Sequence, residues 1–183
     1  MIPKILLAFI VISNLLFSKT YSDIKYSKLS YSKSGTDKSF KLDGYKLTVG
    51  EMFENALKDF STISIGVENS ILIAGGTNIS SVGYKDDTVL NKASVDIDFL
   101  YALHLKATTP LVDFLHGNIY LGLDTAKVGA RASNYANSSG WDSSISYGFG
   151  LEYWIPADIS IQLSYMSYFD NMDGVEFGLG FKF

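Results

Sequence analysis

Cysteine is absent from this chain of 183 residues, so neither a disulfide frame nor a thiolate metal centre is available to it. Proline occurs three times and histidine twice. Basic charge is also short, with 15 Lys and Arg against 19 Asp and Glu and a net charge of −4. Without a basic stripe to release counterions, nucleic acid is excluded as a partner. Past residue 17 no apolar run approaches the roughly 20 residues that a helical membrane span needs. Any crossing of a membrane must then be made by strands.

The one continuous apolar run is at the start. Lys4 precedes it, and residues 5–17 are apolar except for Ser13 and Asn14. This is the build of an export signal, too short for a comfortable anchor. Thr20 and Ser22 supply the small residues that a signal peptidase needs. The expectation is a signal peptide over 1–22, cleaved after Ser22, and a single domain over 23–183.

Glycine, tyrosine and phenylalanine are plentiful, and period-two alternation is the dominant pattern. Its clearest stretch is the last, residues 174–183. There Val175, Phe177, Leu179, Phe181 and Phe183 alternate with Gly, Glu or Lys, the mark of a strand with one apolar face. Similar alternation runs through 61–74, 92–106, 117–130, 143–155 and 159–169. Strands over 24–32 and 40–49 have mixed parity, and the change near Asp43 and Gly44 suggests a bulge. Met52, Phe53, Ala56, Leu57 and Phe60 have helical spacing, which suggests a short helical connection. Thr108, Thr109 and Pro110 read as a break, and 156–158 as a tight turn. Ser34 with its neighbours, 75–91, 131–142 and 170–173 read as loops. The strands number about eight, each near the 9–11 residues that span a bilayer.

In its alternating, phenylalanine-terminated last strand the chain resembles the small outer-membrane β-barrel family of Gram-negative bacteria, the OmpA/OmpX type. The resemblance implies an all-β fold, an eight-stranded antiparallel transmembrane β-barrel in the outer membrane. It further implies that Phe177, Leu179, Phe181 and Phe183 act as an assembly signal read by the barrel assembly machinery. The implied role is structural or surface-interacting, with loops that contact an extracellular ligand, and without catalysis. Outer-membrane lipid is the other implied partner.

A soluble barrel would turn its apolar face inward instead. The opposite face decides against that, because it carries Gly66, Gly122, Gly148, Gly150, Gly178, Gly180, Ser144, Ser146, Ser160 and Ser164. Small side chains suit the crowded interior of an eight-stranded barrel. A water-facing sheet would favour Lys, Thr and Glu.

The charges on that polar face are the candidate site. Lys46, Asp96, Asp98, Lys106, Glu152, Glu176 and Lys182 are expected to form a lumenal network, with Glu68 and Asp124 on the same parity. An ion path is the functional reading. A plug of paired charges is the simpler one, since buried charges must be paired. His104 and His116 match no Ser-His-acid arrangement of a lipid A deacylase. Residues 170–174 lack the ligand spacing of a calcium loop. No cofactor and no metal are expected. Tyr153, Trp154, Tyr168, Phe169 and Phe183 suit aromatic girdles at the membrane interfaces. Two rivals stand beside the structural reading: a transport barrel of the OmpW kind for small apolar molecules, and a lipid-modifying enzyme.

Overall fold

The computed structural model describes residues 19–32, 39–53, 62–76, 82–83, 89–90, 93–132, 135–156, 158–169 and 171–183. Among the described residues there are ten strands: β1 (Lys19–Ser32), β2 (Ser39–Phe53), β3 (Ser64–Gly76), β4 (Val82–Gly83), β5 (Val89–Leu90), β6 (Ala93–Val112), β7 (Leu115–Ala132), β8 (Tyr135–Ile155), β9 (Ile159–Phe169) and β10 (Met172–Lys182). Eight of them close into an antiparallel barrel in the order β1-β10-β9-β8-β7-β6-β3-β2, while β4 and β5 form a separate pair between β3 and β6. Closure by β1 against β10 removes the sheet edges that hydrocarbon forbids.

The wall is inside out relative to a soluble protein. Ile119 and Phe149 are 65% and 64% exposed, and Leu47, Ile73, Leu105, Leu163 and Phe177 stand on the same outer surface. Lys25, Lys46, Lys106, Glu68 and Glu176 are buried within. Alternation imposes this, because each strand sends successive side chains to opposite faces.

One end of the barrel, the lower end here, holds the start of β1 and the finish of β10. It also holds the turn at Asp113 and Phe114 and the turn after Ile155. Asp158 sits in that second turn with φ 59°, a left-handed conformation that Asp tolerates better than most residues. At the opposite, upper end β6, β7 and β8 run far past their neighbours. The last β8–β9 pair is Tyr147 with Ser167, yet β8 is paired to β7 as far as Tyr135 with Ala132.

Several expectations are corrected. β1 begins at Lys19, and Tyr21 is already buried inside the barrel. The register of β2 against β1 and β3 is continuous through Asp43 and Gly44, so there is no bulge there. Parity changes because the upper interior is apolar: Phe40 and Leu42 point in, whereas Tyr45, Leu47 and Val49 point out. Met52 and Phe53 belong to β2, and the rest of the suggested helix, 54–60, lies outside the described residues. Pro110 is inside β6, at a register shift between Pro110 and Val112, a site where a strand accepts proline. The expected loop over 131–142 is largely strand, the upper part of β7 and β8. Tyr168 and Phe169 are buried and belong to no girdle.

The remaining correction lies in β6. A register shift between Ile97 and Phe99 inserts Asp98 as an extra residue. Below it Phe99, Tyr101, Leu103 and Leu105 keep the outward parity. Above it Val95 and Ile97 turn in and are buried.

Candidate functional site

The interior divides into two parts with different physics. Leu29, Phe40, Leu42, Leu72, Ala74, Val95, Ile97, Leu100, Met166 and Met172 pack together in the upper half. Charged and hydroxyl groups fill the lower half.

Glu176 of β10 is the hub of one polar cluster. Lys46 Nζ donates to its Oε2 at 3.0 Å. Ser164 Oγ donates to Oε2 at 3.2 Å, and Ser27 Oγ to Oε1 at 3.4 Å. The Tyr168 hydroxyl donates to Oε1, and Lys46 Nζ donates to the Tyr168 oxygen at 3.0 Å. The cluster thus joins the four consecutive strands β2, β1, β10 and β9 on the lumenal side.

Lys106 of β6 centres the second cluster. It stands 3.4 Å from Glu68 and 3.4 Å from Glu152. Tyr21 donates to Glu68 at 2.7 Å. Glu152 accepts from Ser160 at 2.9 Å, Gln162 at 3.0 Å and Asn118 at 3.3 Å. The ammonium of Lys106 also lies 4.6 Å from the Tyr21 ring centroid, a favourable cation–π geometry. Gly50 makes room for Tyr21, because a Cβ there would collide with the phenol ring.

Between the clusters Asp23 and Lys25 pair at 3.7 Å. Near them His104 Nε2 lies 2.9 Å from Ser146 Oγ. Gly122 is glycine for a similar reason as Gly50, since a Cβ would strike the His104 ring and the Leu103 carbonyl. His104 and Ser146 are both fully buried, so no substrate reaches them. Among the described residues no group of three or more His, Asp and Glu is arranged to hold a metal ion.

Lys46, Lys106, Glu152 and Glu176 are therefore brought together in the lumen. Asp96 and Asp98 are not. The β6 bulge swings them to the outer face of the upper extension, where Asp98 pairs with Lys127 at 3.2 Å and Asp96 with Arg131 at 3.8 Å. Lys182 stays on the inner parity at the lower mouth, 3.7 Å from the Trp154 ring centroid. Together they line a cavity of about 130 Å³ with Lys19, Tyr21, His116 and Glu152. Phe177, Leu179 and Phe181 face outward, and Phe183 is 81% exposed beyond the end of β10.

Sequence reasoning gave Tyr168 to a girdle and passed over Asp23, Lys25 and Ser27. Their signal was present: residues 21, 23, 25, 27, 29 and 31 form one inward row once β1 starts at Lys19. Leu29 and Tyr31 obscured that row by being apolar on the inner face.

The fold has relatives among solved structures. The crystal structure of Ail, the attachment invasion locus protein of Yersinia pestis, matches with a TM-score of 0.60 and 15% identity, over 92% of this chain and all (100%) of Ail. A second Ail structure, in complex with the heparin analogue sucrose octasulfate, matches with a TM-score of 0.58 over the same shares and at the same identity. This chain has the fold of the small outer-membrane barrels of the OmpA/OmpX type. No family model matches it in sequence. Pantothenate kinase 2 of Arabidopsis thaliana is 33% identical over 103 residues, 56% of this chain and 11% of the kinase. Its counterpart from Oryza sativa subsp. japonica is 31% identical over 131 residues, 67% of this chain and 14% of the kinase. The chain thus spans only a small part of these curated relatives, and no kinase activity follows for the barrel.

Proposed function

We propose that this barrel sits in a bacterial outer membrane with its lower end in the periplasm, and that it serves as a structural and surface-interaction protein without catalysis. The outward belt of leucine, isoleucine and phenylalanine supports the membrane setting. Export through a cleaved signal peptide and insertion by the barrel assembly machinery, with residues 177–183 as the recognised strand, belong to this reading.

One observation carries the interaction role. Above the belt β6, β7 and β8 continue as a sheet of their own, and among the described residues β8 over 135–146 has no strand on its β9 side. Natural edges are usually blunted by lysine, proline or a bulge. This edge has none of the first two, and Trp141 beside it is 67% exposed. Such an extension suits contact with a partner outside the cell, and Ail, of similar fold, is named for attachment and invasion. Against the transport rival stands the packed upper interior.

The lack of cysteine makes a direct test available. Ser139→Cys should react with a membrane-impermeant maleimide on intact cells, and Asp113→Cys should react only after lysis. The reverse pattern would overturn the orientation. Replacing residues 129–139 by a two-residue turn should abolish adhesion of expressing cells to matrix-coated surfaces. Equal adhesion with and without the extension would remove the interaction role.

A further inference from the structure

Asp124 of β7 is the anomaly of the interior. Asp23, Glu68, Glu152 and Glu176 each have a lysine within 3.0–3.7 Å. Among the described residues Asp124 has none, and neither of its carboxylate oxygens has a side-chain hydrogen-bond partner, the backbone N–H groups of Ser144 and of Asp124 itself being the donors beside it. Yet it is only 4% exposed. A buried, unpaired carboxylate is costly, and such groups are neutralised by a cation or by a proton.

The surroundings favour a cation. Asp124 faces the lumen directly opposite Ser144 of β8, and the next inward pair above is Ala126 with Asp142. Asp142 is therefore the diagonal neighbour of Asp124 on the same face, a separation of roughly 7–8 Å at most for side chains in adjacent strands. Two carboxylates at that spacing, leaning together, reach one ion at about 2.3–2.6 Å. Asp142 is exposed at the upper mouth, so an ion has a way in. Ser144 adds a hydroxyl oxygen between them.

We propose that Asp124, Asp142 and the Ser144 hydroxyl bind a hard divalent cation at the upper mouth of the lumen, with water completing its coordination. Oxygen-only donors select ions of the calcium and magnesium type over soft transition metals. The ion ties β7 to β8 at the root of the upper extension. It also explains why an aspartate is retained beside the apolar upper core.

The experiment uses the chain refolded in detergent, free of lipopolysaccharide. Trp154→Phe leaves Trp141, the neighbour of Asp142, as the one remaining tryptophan of two. Terbium is titrated against that protein, with calcium as competitor, and Trp141-sensitised luminescence is read. Calcium titration calorimetry on the unsubstituted chain gives an independent binding curve. The expected result is saturation near one equivalent, displacement by calcium, and at least a tenfold loss of affinity in both Asp124→Asn and Asp142→Asn. Heat-dependent gel mobility checks that each variant is folded, and Asp142→Asn decides if Asp124→Asn is not. Equal binding by wild type and folded variants would place the ion elsewhere. No saturable binding would leave Asp124 neutralised by a proton. Either outcome overturns the proposal.

Discussion

The Tyr101 hydroxyl donates a hydrogen bond to Asn69 Oδ1 at 2.7 Å on the outer wall of the barrel. Asn69 is the residue that interrupts the apolar row of Ile65, Val67, Ile71 and Ile73 on β3. Tyr101 stands opposite Ile71 on β6 and reaches it diagonally. An amide in a lipid-facing row would otherwise lack a partner, and here the neighbouring strand supplies one.

Tyr101→Phe is expected to destabilise the refolded barrel by about 1–3 kcal/mol, the cost of an unsatisfied polar group in an apolar setting. Adding Asn69→Leu to that variant should recover most of the loss, because both polar partners are then gone. Urea unfolding in detergent reads the cycle. Additive losses in the double variant would show that the bond contributes nothing.

Lys46→Met should cost more, about 3–5 kcal/mol, because it strands the buried Glu176 carboxylate. The pair Lys46→Met with Glu176→Gln should be markedly milder than Lys46→Met alone. If the single and double variants unfold at the same urea concentration, Glu176 is held by Tyr168, Ser27 and Ser164 without help from the lysine.

Ion conduction should be low, and for a reason beyond paired charges. The upper interior is sealed by Phe40, Leu42, Leu72, Leu100 and their neighbours. Glu152→Ala on its own should therefore leave planar-bilayer conductance unchanged. Leu42→Ser with Leu72→Ser, added to it, should raise conductance by wetting the seal. Large, stable currents from the unsubstituted protein would reverse this account and favour the transport reading.

The mature chain should begin at or before Lys19. A cut after Ser22 would remove Tyr21, which fills the space over Gly50 and donates to Glu68 at 2.7 Å. It would also remove Thr20, whose carbonyl accepts from the Phe183 N–H at 3.0 Å. Mass spectrometry of the membrane-extracted protein decides this. A mature N-terminus at Asp23 would restore the cleavage expected from residue sizes alone.

Alternation was enough to establish an eight-stranded barrel and the direction of its apolar face, because lipid contact demands one continuous outward row per strand. Residues 145–155, 159–165 and 175–183 state that row without interruption, and the lumenal positions of Lys106, Glu152 and Glu176 follow from it. Parity fails where the inner face is apolar too, as at Leu29, Phe40 and Leu42. Both faces then look alike, and only packing across the lumen tells them apart. A bulge is equally silent: inserting Asp98 reverses every residue above it, and only register against β3 and β7 reveals that Asp96 and Asp98 leave the lumen. Pairing is decided last. Lys46 meets Glu176 from 130 residues away because closure of β1 on β10 brings the two halves of the chain around one lumen, a contact that no local pattern encodes.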